Sequence, residues 1–98
     1  MNQNEKLLYN MKKLDRKQLP KWFNGEIYDK GATVRNSFSG EKYKLNNVEL
    51  SMYDFIIGSQ MVFEMAPQTV TEQKVKDFQR GLDWFRKHNA EAYMVLLD

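Results

Sequence analysis

Residues 31–45, GATVRNSFSGEKYKL, constrain the fold more than any other stretch of the chain. Ala32 and Val34 alternate with Thr33 and Arg35, and Tyr43 and Leu45 alternate with Lys42 and Lys44. A period of two sends one set of side chains towards a core and the other into water, the pattern of a half-buried strand. Glycines at 31 and 40 punctuate the two runs, and Ile27 and Tyr28 precede a further turn signal at DKG. Two or three short antiparallel strands joined by turns are therefore predicted over 22–45.

The SGEK within this stretch has the look of a phosphate-binding turn. A Walker-type loop, however, needs G-x-x-x-x-G-K-[ST] between a strand and a helix, so that backbone amides and a helix dipole meet the phosphates. Here Gly31 and Gly40 are nine apart, Glu41 stands where a lysine is required, and the residues after Lys42 are strand-like. The better reading is a turn closed by Gly40 at positive φ, with Ser37 and Ser39 bonding local backbone and Phe38 left at the tip.

On either side the period changes to that of a helix. Leu7, Met11 and Leu14 recur at i, i+4, i+7 ahead of Pro20, which predicts a short basic N-terminal helix over 1–21. Asn46 with Glu49 makes a capping-box pair at the start of a second helix. Along it Leu50, Tyr53, Ile57 and Met61 form one apolar stripe, and Met52, Ile56 and Phe63 lie nearly opposite. A helix apolar on most sides is a central one. Pro67 ends it. A third helix starts at Thr69 or Thr71, Thr69 with Glu72 being the better box, and carries Val75, Phe78, Leu82 and Phe85 as its core stripe. It stops at His88 and Asn89, since Asn tolerates the left-handed conformation of many helix ends. AEAYMVLL is one more short apolar helix. The order helix, hairpin, helix, helix is that of an α+β protein.

At 98 residues the chain suits a single domain, 1–98, with room for one core but hardly for a deep cleft as well. The absence of cysteine excludes disulfides, thiolate metal sites and thiol catalysis. MNQNEKLLYN lacks the apolar run of a signal peptide and no stretch approaches a membrane span, so a soluble cytoplasmic protein with no membrane partner is expected. Residues 1–21 carry six basic groups against two acidic ones, a local balance of +4, whereas 71–98 balance five against five. Any preference for polyanions is expected at the N-terminus, through Lys12, Lys13, Arg16, Lys17 and Lys21, with Tyr9, Trp22 and Phe23 as stacking candidates.

KGATVRNSFSGEKYKLNNVELSMYDFIIG resembles a pattern in small proteins of marine bacteria and their phages, in which a G-x-x-V-x-N-x-x-S-G-E hairpin runs into a capped helix with a Tyr-Asp pair. The matching residues are Gly31, Val34, Asn36, Ser39, Gly40, Glu41, Glu49, Tyr53 and Asp54, and the resemblance extends over roughly 25–97. It implies a compact α+β fold, no assigned activity, and Asn89 as the start of the final helix.

Candidate sites emerge from residue type and spacing. Asp54 lies one turn before Gly58 in mid-helix, where a close approach is expected, and could be a partly buried acid; the plainer alternative is a bond to backbone in the hairpin or a pairing with Arg35 or a lysine. His88 is the only histidine, no H-x-x-x-H or carboxylate cluster accompanies it, and a histidine suits a helix C-terminus electrostatically, so no metal or other cofactor is expected. No serine sits in G-x-S-x-G, and one histidine leaves a triad little to be built from. Trp84 is far from the stripe of its helix, beside Gly81 and His88 on the wheel, and is either a contact surface or covered by a terminal helix. The expectation is a non-enzymatic module that binds another protein or a second copy of itself through Trp84, Gly81, Phe38, His88 and the outer face of the central helix. The alternative is a nucleic-acid-binding accessory protein using the basic N-terminal segment.

Overall fold

A computed structural model describes residues 2–6 and 18–98. The predicted N-terminal helix stripe, Leu7, Met11 and Leu14, lies outside them, as does Tyr9. The chain is α+β. A helical turn at 3–6, capped by Asn2 whose Oδ1 accepts from the Glu5 amide at 2.8 Å, comes first. After it come β1 (Ala32–Arg35), β2 (Lys42–Leu45), α1 (Asn47–Met65), a 3-10 turn (Pro67–Thr69), α2 (Glu72–His88) and α3 (Ala90–Leu96).

The two strands form an antiparallel hairpin with Ala32 opposite Leu45, Thr33 opposite Lys44, Val34 opposite Tyr43 and Arg35 opposite Lys42. Ile27 and Tyr28 form no third strand. The turn between the strands is organised by Asn36. Its side-chain oxygen accepts from the Phe38 and Ser39 amides at 2.8 and 3.2 Å, and its side-chain nitrogen donates to the Val95 carbonyl of α3 at 2.9 Å. The Ser39 hydroxyl accepts from the Glu41 amide at 3.1 Å, and Gly40 has φ +79°. A short polar side chain that mimics a backbone turn explains why Asn, Ser and Gly are spaced as they are. SGEK is a turn.

α1 begins with the predicted capping box: the Asn46 side chain accepts from the Glu49 amide at 2.8 Å, and a Glu49 carboxylate oxygen accepts from the Asn46 amide at 2.9 Å. α2 begins two residues later than the better box predicts. Its cap is Thr71, accepting from the Lys74 amide at 3.2 Å, because the Thr69 hydroxyl is committed to the Ala66 carbonyl in the turn that Pro67 initiates. At its other end Asn89 has φ −150°, not the left-handed conformation expected of a helix stop. Its side chain caps α3 instead, accepting from the Ala92 amide at 3.1 Å.

The core is made by Leu19, Phe23, Leu45, Val48, Met52, Ile56, Phe85, Ala92 and Leu96. It lies where the inner face of the hairpin, α1, α2 and α3 meet, and β2 packs on both α3 and α1. α1 is central only in its first half. Met52 and Ile56 are buried, Leu50 and Tyr53 pack against the core, and beyond Gly58 the apolar residues Met61, Val62 and Met65 are exposed. On α2, Phe85 is buried, Phe78 and Leu82 are half-buried, and Val75 of the predicted stripe reaches solvent.

Gly58 differs from expectation. Among the described residues an added Cβ there meets no atom within 4 Å, so none of them makes the close approach expected at this glycine. Gly58→Ala is accordingly expected to raise stability by about 1 kcal/mol through helix propensity alone, read as a higher urea midpoint at unchanged slope. A loss of stability would show that the bare backbone at 58 is needed in the fold.

Candidate interaction surfaces

Three places gather the sequence-derived candidates. The first is a polar joint between helix ends. Glu49, in the first turn of α1, is buried to 7 % relative exposure. One of its carboxylate oxygens serves the capping box; the other accepts from the Asn89 side-chain nitrogen at 2.8 Å and lies 3.6 Å from His88 Nε2. The Tyr43 hydroxyl donates to Asn89 Oδ1 at 3.5 Å. A carboxylate at a helix N-terminus facing a histidine at a helix C-terminus is the favoured sense for both macrodipoles.

Trp84 and His88 belong to this joint. The indole stacks on the imidazole at 4.5 Å with planes 10° apart and meets Phe85 edge-on at 6.4 Å. Trp84 is thus half-buried within the chain, not an open aromatic face. Gly81 is a correction: it is buried where α2 crosses α1, and an added Cβ would lie 3.4 Å from both Ile56 and Met52. It offers no surface to a partner. Among the described residues no group of three or more His, Cys, Asp or Glu could hold a metal. Ser51, the buried hydroxyl nearby in sequence, is committed as well, donating to the Asn47 carbonyl at 2.7 Å and accepting from the Tyr28 amide at 3.0 Å.

The second place is a groove of about 430 Å³ between α1 and α2, with Phe55, Gly58, Val62 and Phe63 as its apolar wall and Asn24, Asp54, Ser59, Lys74 and Asp77 around it. Asp54 is exposed here, not partly buried, and no ion pair between the described residues joins it to Arg35. Asp54 as an acceptor for the phenol first, then desolvation and the charges of Asp54 and Glu26, hold the Tyr28 hydroxyl above its ordinary value. Burial does the same to Tyr53. Phe63 meets Phe78 of α2 edge-to-face at 5.3 Å, and Met61, Val62, Met65 and Val75 are 54, 41, 78 and 37 % exposed.

The third is the hairpin. Phe38 at its tip is 99 % exposed, and its ring touches no core residue. Of the basic N-terminal candidates, Lys12, Lys13, Arg16 and Lys17 lie outside the described residues, while Lys21 is exposed. Trp22 and Phe23, the stacking candidates beside it, are taken up by packing: Phe23 is buried, and both meet Phe55, at 5.8 and 5.6 Å. The exposed apolar end of α1 is not visible in the sequence, because a helical wheel shows which residues share a face but not where a helix runs past its neighbours. Among the described residues, no helix is long and apolar enough to cross a membrane. Comparison with protein-family models, with curated proteins and with solved structures finds no match to this chain.

Proposed function

We propose that the chain is a small non-enzymatic module that associates with a second copy of itself through the projecting end of the α1–α2 pair. The observation that carries this is the exposure of Met61, Val62 and Met65 on one side of α1, beside an apolar-walled groove. Isolated exposed apolar residues are normal, but several together at the end of a helical pair mark a contact surface, and methionine adapts to whatever packs on it. The groove carries both signs of charge, Lys74 on one hand and Asp54 and Asp77 on the other. A surface of mixed sign can complement itself across a two-fold axis. A relation to the small proteins of marine bacteria and their phages rests on the sequence pattern over roughly 25–97 and implies no activity.

Light scattering behind size exclusion tests this directly. The expected result is a dimer that the double substitution Val62→Glu, Met65→Glu converts to monomer, with a dissociation constant raised on the order of a hundredfold. Both side chains are exposed, so the thermal melt of the variant's monomer should be unchanged. A wild-type chain that stays monomeric at high concentration overturns the reading. So does a dimer indifferent to both charges.

A further inference from the structure

We propose that the outward face of the β-hairpin, together with Phe38 at its tip, binds single-stranded nucleic acid. This is independent of self-association, which uses the helical part of the chain. The strand register makes the face. Val34 with Tyr43 and Ala32 with Leu45 form the inner side, towards α1 and α3, so Thr33, Arg35, Lys42 and Lys44 share the outer side, and all four are exposed. Arg35 stands directly across from Lys42. Like charges in that relation oppose strand pairing, and no ion pair among the described residues relieves Arg35, Lys42 or Lys44. From residue 30 to 45 the chain carries Lys30, Arg35, Lys42 and Lys44 against Glu41 alone, a balance of +3. A hairpin that sets two cations opposite each other gains from an external anion what it lacks internally.

The geometry narrows the anion. Lys42 and Lys44 lie on one side of the same strand, about 6.8 Å apart by strand rise, a spacing that suits successive phosphates of an extended strand. The Arg35 guanidinium reaches along the hairpin to the tip turn, where a Cβ on Gly40 would come within 3.3 Å of it. Beyond it stands Phe38, whose ring is free on both faces at 99 % exposure. A row of cations leading to one open aromatic is the arrangement that tracks a backbone and stacks an unpaired base. A duplex would leave the ring without a stacking partner. A lipid surface would want more apolar area than one side chain flanked by Asn36, Ser37, Ser39 and Glu41 supplies.

The test is fluorescence anisotropy of the full chain with a labelled oligothymidylate over a range of salt. The expected result is binding at low salt that weakens linearly in a log–log plot. Arg35→Ala, Lys42→Ala and Lys44→Ala together should lower affinity on the order of tenfold or more and flatten the slope by about 2, as for three lost phosphate contacts on a single strand. Phe38→Ala should lower affinity about tenfold with the slope unchanged. All four side chains point to solvent, and relieving the Arg35–Lys42 opposition should leave the melt equal or higher, so a folding failure is not the expected confounder. Circular dichroism checks this. No binding at low salt overturns the proposal, as does binding of phosphatidylserine vesicles without binding of the oligonucleotide. It is equally overturned if the hairpin variants bind like wild type while Lys12→Glu with Lys13→Glu abolishes binding, or if duplex binds as tightly and Phe38→Ala is silent.

Discussion

Gly31→Ala should destabilise the protein by about 3 kcal/mol, the upper part of the usual cost of overpacking. A Cβ at 31 would fall onto the Leu45 carbonyl oxygen and within 2.9 and 3.0 Å of Asn46 Cα and carbonyl carbon. Those are backbone atoms, which cannot rotate out of the way as a side-chain terminus can. They also sit at a junction with little freedom: Leu45 is 1 % exposed at the end of β2, and Asn46 caps α1. The chain must therefore either open the Ala32–Leu45 pair or displace the start of α1, and each loses packing elsewhere. For a chain of this size the Tm should fall by more than about 10 °C. The same substitution at Gly58 is expected to have the opposite sign, so the two variants measured side by side separate steric approach from helix propensity. A loss at position 31 below about 1 kcal/mol would mean that the hairpin and α1 do not approach as closely as they do in this structure.

Gly31 illustrates what a sequence makes legible and what it does not. That a glycine belongs at the edge of a hairpin is a matter of local pattern; what it touches, fourteen residues on, is not. The same division runs through the chain. The alternation in 32–35 and 42–45, the Asn46–Glu49 box and the break at Pro67 are interactions within a few residues, and each stands where the pattern puts it. On a helical wheel Gly81 lies beside Phe85 and Phe78, but a glycine has no side chain to mark it as part of an apolar stripe. Its burial comes from α1 crossing there, a contact between residues some 25 positions apart. Asn89 reads as a helix stop and, by the resemblance, as the start of the final helix, which its side chain caps; its reach to Glu49, a partner 40 positions away, is not local and is not legible. The charged face of the hairpin is visible in the sequence as an alternation but not as a site. Setting Arg35 opposite Lys42 takes the register, and the register depends on how the Asn36 side chain closes the turn.

Glu49→Ala is the substitution expected to show whether the three helix ends are held as one unit. The carboxylate accepts from the Asn46 amide and the Asn89 side chain, and faces His88. Truncation removes half of the capping box and leaves the half-buried Asn89 amide without its acceptor. Together these should cost about 2–4 kcal/mol, combining a lost cap with an unsatisfied donor. Glu49→Gln separates the terms. Glutamine is an accepted capping-box residue, and one oxygen can still accept from Asn46. Its amide nitrogen then faces the Asn89 nitrogen, donor against donor, so a loss smaller than that of Ala but above about 1 kcal/mol is expected. The decisive measurement is a double-mutant cycle with Asn89→Ala. If Glu49 joins α1 to α3, the two losses should fall short of additivity by about 1 kcal/mol or more, since either substitution alone breaks the shared bond. Additive losses would assign Glu49 to α1 alone. The docking of α3 would then rest on the burial of Ala92 and Leu96 and on the bond from Asn36 to Val95.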